Sequence, residues 1–343
     1  MTTKVNPQEF LELRDKFLTI IDVRSPSEYA LSHIPQAQNI PLFTDDERAM
    51  VGTLYKQVNR ESAMLRALEI IGPKMASFVK QLTQLNRKKT VLVHCWRGGM
   101  RSESMSWLFD IAGFEVFLLS GGYKAYRNWI LSSFSEKANL LVLGGKTGSG
   151  KTSYLEALQK NNEQVIDLEG LANHKGSAFG AIGQKDQPGT QQFENLLFEE
   201  WRLLDLKKPI WIEDESASIG KVSIPKELFV QIRSARVIEI ELPVKIRVKR
   251  IIAEYVRLND AELTQSIIKI SKRLGGLNTT ICLNAVEEKD YEAAVLLILD
   301  YYDKAYRKGL QKRDPDSVYR IEFENDDPDS NYKSIIELLN KLD

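Results

Sequence analysis

Two short segments of the chain concentrate residues whose types and order can do chemistry. The first is Cys95-Trp96-Arg97-Gly98-Gly99-Met100-Arg101-Ser102, which follows the run Val91-Leu92-Val93-His94 and precedes a helix-forming stretch. Gly98 and Gly99 let the backbone curl so that successive N–H groups point inward. With the positive end of the next helix, they predict an anion-binding pocket around the Cys95 sulfur. Arg97 and Arg101 add positive charge, and thiolate is the form of cysteine that attacks sulfur, selenium or phosphorus centres. The plain alternative is a buried strand-end cysteine without chemistry. His94 alternates to the opposite face of its strand and reads as packing rather than as a partner of Cys95. Cys282 has no glycine or arginine beside it and reads as a core residue.

The second segment is Gly144-Gly145-Lys146-Thr147-Gly148-Ser149-Gly150-Lys151-Thr152, which matches G-x-x-x-x-G-K-[ST] from Gly145. The apolar run Leu140 to Leu143 comes before it and a helical pattern after it, the context this motif needs. Gly145, Gly148 and Gly150 allow the chain, with Thr147 and Ser149, to wrap phosphate oxygens with N–H groups. Lys151 supplies a point charge and Thr152 is placed to ligate magnesium. A nucleoside triphosphate such as ATP is the usual occupant of such a loop. Downstream, Pro209-Ile210-Trp211-Ile212 ends in Glu213-Asp214-Glu215, where an acid that holds magnesium would sit; Glu213 and Glu215 are the candidates.

Positioning these two loops takes alternating strands and helices. Residues 19–23 and 90–94 are β-branched runs, while 61–71 and 102–112 carry apolar residues at helical spacing. The alternation resumes at 140–143, 165–167 and 209–212, so both halves read as α/β with mainly parallel sheets. Helices are expected at 194–205, 244–258, 263–274, 291–302 and 331–342. The polar stretch Ser132 to Lys137 is a joint, which places the boundary near residue 136 and gives domains 1–136 and 137–343. A cluster of basic residues marks the second half. Arg247, Arg250 and Arg257 recur on one helical face, and Arg233, Arg236, Lys272 and Arg273 lie nearby in sequence. Such a face can line a phosphate backbone, close over the phosphate loop, or simply be solvated.

Composition narrows the classes. A chain of 343 residues, 43% hydrophobic and 27% charged, is too long for one small domain and too apolar for disorder. Forty-seven basic and 47 acidic residues give a formal net charge of zero, which excludes histone-like binding but not a local basic stripe. The longest uninterrupted apolar stretch, Ala293 to Leu299, is far short of the roughly 18–20 residues that span a bilayer. Two distant cysteines and three histidines give no zinc or disulfide pattern, and residues 1–18 show no apolar leader, so reduced cytoplasm is the expected compartment.

Residues 21–41, Ile-Asp-Val-Arg-Ser-Pro-Ser-Glu-Tyr onward, resemble the rhodanese signature, and with the cysteine loop the resemblance covers about residues 5–130. It implies a doubly wound domain able to carry a chalcogen on cysteine, with Asp22 and Arg24 as a structural pair below the loop. Cys95 to Arg101 is also C-x5-R, the spacing with which phosphatases hold phosphate, so a phosphatase joined to a kinase-like NTPase is the rival reading. A module that only docks a partner is a third.

Rhodanese followed by a phosphate loop is an unusual pairing, and the whole chain resembles the tRNA 2-selenouridine synthase family. The likeness rests on residues 46–56, 95–102, 121–127, the phosphate loop, 174–180, 192–195, 213–220 and 302–306. Where the family carries an arginine after its Glu-Ser pair this chain has Ala217, and Lys175 replaces another. The resemblance implies exchange of the 2-thio sulfur of the wobble uridine in the tRNA anticodon arm for selenium from selenophosphate. It also implies geranyl transfer from geranyl diphosphate to that sulfur. Cys95 would be nucleophile or selenium carrier, Arg97 and Arg101 would hold the anionic donor, and the phosphate loop would take the diphosphate in place of ATP. The basic residues from Arg233 to Arg273 would grip the anticodon arm.

Overall fold

The structure, a computed structural model, describes residues 2–342 apart from 17, 87, 178 and 256–259, and excludes the side chains of 254 and 255. The chain divides into two compact units, Met1–Ser133 and Phe134–Asp343, within the serine-containing joint.

In the first unit five strands, β1 (Thr3–Val5), β2 (Thr19–Asp22), β3 (Gln38–Asn39), β4 (Thr90–His94) and β5 (Glu115–Leu119), form a sheet in the order β1-β5-β4-β2-β3. Every pairing is parallel. A parallel sheet is covered on both faces, which is why β2 and β4 are almost continuously apolar. On one face Ile21, Val91 and Val93 pack with Phe78, Met105 and Phe109. These come from helices α5 (Met75–Leu85) and α6 (Met100–Ile111). The other helices are α1 (Pro7–Arg14), α2 (Pro26–Leu31), α3 (Asp45–Gln57), α4 (Arg60–Ile71) and α7 (Gly122–Ser133). Reciprocal capping boxes start α1, with Asn6 and Glu9, and α3, with Thr44 and Glu47.

Asp22 and Arg24 are a buried pair at the end of β2. The Arg24 guanidinium donates to both carboxylate oxygens at 2.6–3.0 Å and to the Ser32 carbonyl at 2.7 Å, and it lies 4.2 Å over the Tyr123 ring. Burial pushes the Asp22 carboxyl up, but His94 and Arg24 outweigh it and hold the group below the usual carboxylate range. Breaking such a pair strands a buried charge, at a cost of about 3–5 kcal/mol.

The second unit has its own parallel sheet of five strands, in the order β12-β11-β6-β8-β7. They are β6 (Leu140–Gly145), β7 (Gln164–Ile166), β8 (Ile210–Glu213), β11 (Arg236–Glu241) and β12 (Val318–Glu322); β9 (Ser218–Ile219) and β10 (Val222–Ser223) make a small antiparallel hairpin. Helices α8 (Lys151–Lys160) and α16 (Pro328–Asn340) cover one face, with Tyr154, Leu158, Ile335 and Leu339 on Leu141, Leu143, Trp211 and Ile238. The remaining helices are α9 (Leu168–Ala172), α10 (Thr190–Trp201), α11 (Lys226–Ser234), α12 (Val244–Tyr255), α13 (Asp260–Leu274), α14 (Gly276–Glu287) and α15 (Tyr291–Leu310). Ile267, Ile270, Leu274, Cys282, Val286 and Ile298 of α13 to α15 form a further core, so Cys282 is packed apolar surface, as its sequence context suggests. Among the described residues no helix is long and apolar enough to cross a membrane.

Candidate active site

β4 ends at His94, and the chain leaves the sheet directly into the cysteine loop. Cys95 is buried, with Sγ 3.1 Å from the Ser102 hydroxyl in the first turn of α6. That hydroxyl is also 3.1 Å from the Gly99 carbonyl. Its single proton can go to the carbonyl while sulfur carries hydrogen, or turn to sulfur when sulfur is an anion. Ser102 is a contact that sequence reasoning used only to mark the start of a helix.

The floor of the loop comes from the start of α7. Tyr123 and Lys124 donate their N–H groups to the Cys95 and Trp96 carbonyls at 2.8 and 3.0 Å. Gly122, at φ +60°, lies so close that a Cβ would stand 2.4 Å from the Cys95 carbonyl and 2.5 Å from the Gly98 nitrogen. Among the described residues, the N–H groups of Trp96, Arg97, Gly98 and Gly99 meet no acceptor, as an anion nest requires. Arg97 is exposed. Arg101 differs from expectation: Glu28 takes its guanidinium at 2.6 Å, so the C-x5-R spacing does not bring a free cation over the sulfur. Burial and the Arg101 contact act oppositely on Glu28, and the arginine prevails, keeping that carboxyl below its usual range. His94 is buried between Phe10 and Tyr123, with Nε2 3.7 Å from Asp22, and burial lowers its pKa against the pull of that carboxylate.

In the second unit β6 runs into the phosphate loop. Among the described residues the N–H groups of Thr147, Gly148, Gly150, Lys151 and Thr152 find no acceptor, and they sit at the positive end of α8. Gly145 differs, since its N–H donates to the Tyr306 hydroxyl at 2.8 Å. Burial would lower the Lys151 pKa, but Glu169, Glu215, Glu213 and Asp214 outweigh it and hold the ammonium firmly charged. The loop, including Ser149, lines a cleft of about 820 Å³ whose other walls include Glu169, Gly176, Glu215, Arg233, Arg250 and Tyr306. A smaller apolar pocket of about 30 Å³ adjoins it, sharing Thr147, Ser177, Ile251 and Tyr302 and adding Phe179, Leu263, Val295 and Ile298.

The acids after β8 separate. Glu213 is fully buried and accepts the Leu168 N–H at 2.8 Å; burial, with Asp167 and Glu169 nearby, pushes its pKa well up, and it does not line the cleft. The expectation that Glu213 serves the phosphate loop is therefore corrected. Asp214 is taken by Arg313 at 2.5 Å. Glu215 does face the cleft, and Glu169 of α9, unforeseen from sequence, joins it 3.4 Å from the Thr152 hydroxyl. Among the described residues no group of three His, Cys, Asp or Glu side chains could hold a metal ion. A magnesium ion would find one carboxylate in Glu169 and a hydroxyl in Thr152, and would lend bound phosphates a counter-charge.

Burial and Glu169 push Glu215 up to about 8. The folded chain thus keeps a proton there that an unfolded chain releases near 4.5, so this contribution to stability declines as pH rises from about 4.5 to about 8. Glu215→Gln is expected to reduce the fall of the thermal midpoint over that window, followed by circular dichroism; an unchanged slope removes Glu215 from this account.

The basic residues do not form one face. Arg247 is 2% exposed, bidentate to Asp303 at 2.7 and 2.9 Å and bound to the Thr147 carbonyl at 3.0 Å, so it braces the phosphate loop and cannot touch RNA. Arg250 also turns inward, to Asp326 and Ser153. Arg233 lines the cleft and donates to the Gly309 carbonyl at 3.2 Å. Helical spacing identified a shared face without saying whether solvent or the loop lay opposite. Arg236, Lys272 and Arg273 are exposed, and Arg257 lies outside the described residues.

Comparison with known proteins places both halves. The family model described as tRNA 2-selenouridine synthase AAA domain matches residues 138–326, and a rhodanese-like domain matches 6–128. The chain is 34% identical to a tRNA 2-selenouridine synthase of Bdellovibrio bacteriovorus, over 90% of this chain and 93% of that protein. It is 33% identical to one of Hydrogenovibrio crunogenus, over 87% and 91%. A shorter alignment, 37% identical, joins 69% of this chain to 63% of the relative from Nitrosomonas europaea.

Proposed function

The chain belongs to the tRNA 2-selenouridine synthase family, and from that premise we propose that it replaces the sulfur of 2-thiouridine at the tRNA wobble position by selenium. The donor is selenophosphate, and the route passes through an S-geranylated nucleoside made from geranyl diphosphate. The observation that carries this reading is the joint presence of a buried thiol in an open amide nest and a phosphate loop beside an apolar wall.

Each loop has a step. In the first, the thiocarbonyl sulfur attacks C1 of geranyl diphosphate; an S–C bond forms, the C–O bond breaks, and diphosphate leaves with the electron pair and takes up the proton released from N3. The N–H groups of 147–152 and Lys151 stabilise that leaving group. The apolar pocket must widen beyond its 30 Å³ to take a ten-carbon chain. In the second, the Cys95 thiolate adds to C2 and geranylthiolate departs. Selenophosphate selenium then displaces Cys95 from C2, and hydrolysis of the P–Se bond leaves selenouridine and phosphate. No electron is gained or lost. Carrying selenium as a Cys95 S–Se bond would instead demand a two-electron oxidant, which favours the nucleophile role. Charge that develops on the base during addition would be met by the amides of 96–99.

The test is to incubate the purified chain with thiolated tRNA and each donor singly, then identify the nucleosides by mass spectrometry. Geranyl diphosphate alone should give the S-geranyl nucleoside, and selenophosphate should convert pre-geranylated tRNA to selenouridine. Unchanged nucleosides with Cys95-dependent arylphosphate turnover would establish the phosphatase instead.

A further inference from the structure

The cleft has a charge problem. Lys151 shares the cleft with Glu169 and Glu215, and one ammonium cannot by itself neutralise a diphosphate carrying about three negative charges. Arg233 lines the same cleft but is engaged by Asp214 and the Gly309 carbonyl, and two arginines of α12 approach the loop in different ways. Arg247 is committed, with both ends of its fork on Asp303 and a bond to the loop carbonyl of Thr147. Arg250 has no bidentate carboxylate: one nitrogen meets a single oxygen of Asp326, whose side chain is 31% exposed, and another meets the Ser153 hydroxyl.

Its position is specific. The guanidinium lies against Gly150, at φ +80°, so that a Cβ there would stand 2.6 Å from its central carbon. Gly150 is one of the residues whose N–H has no acceptor among the described residues, and Arg250 lines the same cleft as Lys151 and Thr152. A planar fork matches two phosphate oxygens better than it matches one half-exposed carboxylate and a hydroxyl.

We propose that Arg250 is the second diphosphate-binding cation, and that Asp326 is an internal anion that holds it until the diphosphate arrives and takes its place. The proposal rests on reading the 145–152 loop as a diphosphate cradle. Asp326 thus competes with ligand, which sets a sign that a merely structural brace would not give.

Inorganic pyrophosphate is the probe, with affinity read by calorimetry on the full chain. Arg250→Ala is expected to weaken binding about tenfold or more, and Asp326→Asn to tighten it about threefold to tenfold, an effect that disappears in the Arg250→Ala background. Weaker or unchanged binding by a folded Asp326→Asn overturns the proposal. Should that variant not fold, a crystal of the unaltered chain with pyrophosphate decides. Arg250 on phosphate oxygens supports exchange, whereas Arg250 still on Asp326 with pyrophosphate in the loop defeats it. Loss of binding in Lys151→Ala, with no gain in Asp326→Asn, leaves the cradle reading intact and removes only the exchange. No pyrophosphate binding by the unaltered chain removes both.

Discussion

Cys95→Ala should leave no measurable selenouridine, a loss of at least about 10³-fold, while S-geranyl nucleoside still forms. The sulfur is the atom proposed to bond C2 in the second step, and alanine supplies no substitute. The change is small and buried, next to Ser102 and the Gly122 floor, so the fold should tolerate it and the loss should be chemical. Nucleoside mass spectrometry on pre-geranylated tRNA with selenophosphate is the measurement. Selenouridine at the unaltered rate would mean that selenophosphate attacks C2 unaided and that the thiol has another task.

The complementary result comes from Lys151→Ala. Its ammonium is held charged by the surrounding acids, and removing it leaves Glu169 in the cleft with no lysine to balance the proposed diphosphate. Geranyl transfer is expected to fall about 10²–10³-fold, with selenation of pre-geranylated tRNA retained. Single-turnover transfer with geranyl diphosphate measures the first, and conversion of pre-geranylated tRNA the second. Parallel loss of both activities in a folded variant would tie the phosphate loop to the selenium step as well, against the assignment of one loop to each reaction.

Much of this was legible in residues close together in the chain. The order strand, cysteine, glycines, helix is local, and so is G-x-x-x-x-G-K-T; both loops lie where their motifs put them. The parallel sheets follow from the apolar continuity of 90–94 and 140–143. What sequence did not disclose depends on partners far along the chain. Arg101 is matched by Glu28, Arg247 by Asp303 and Arg250 by Asp326, and none of those acids advertises itself by spacing. Glu169 reaches Thr152 only because β7 lies beside β8 and delivers α9 to the cleft. Of three adjacent acids, alternation said that some would diverge, but the tertiary fold decided that Glu213 goes inward and Glu215 outward.

Strand β12 and helix α16 complete the second sheet and cover α8, although they come after nearly everything else in that unit. During synthesis the cysteine loop therefore leaves the ribosome well before the last elements that pack around the phosphate-loop sheet. Until residue 340 or so has emerged, β11 has an open edge and α8 lacks its cover. Nascent chains thus carry the complete cysteine loop before the phosphate loop has the full support of its sheet and helices.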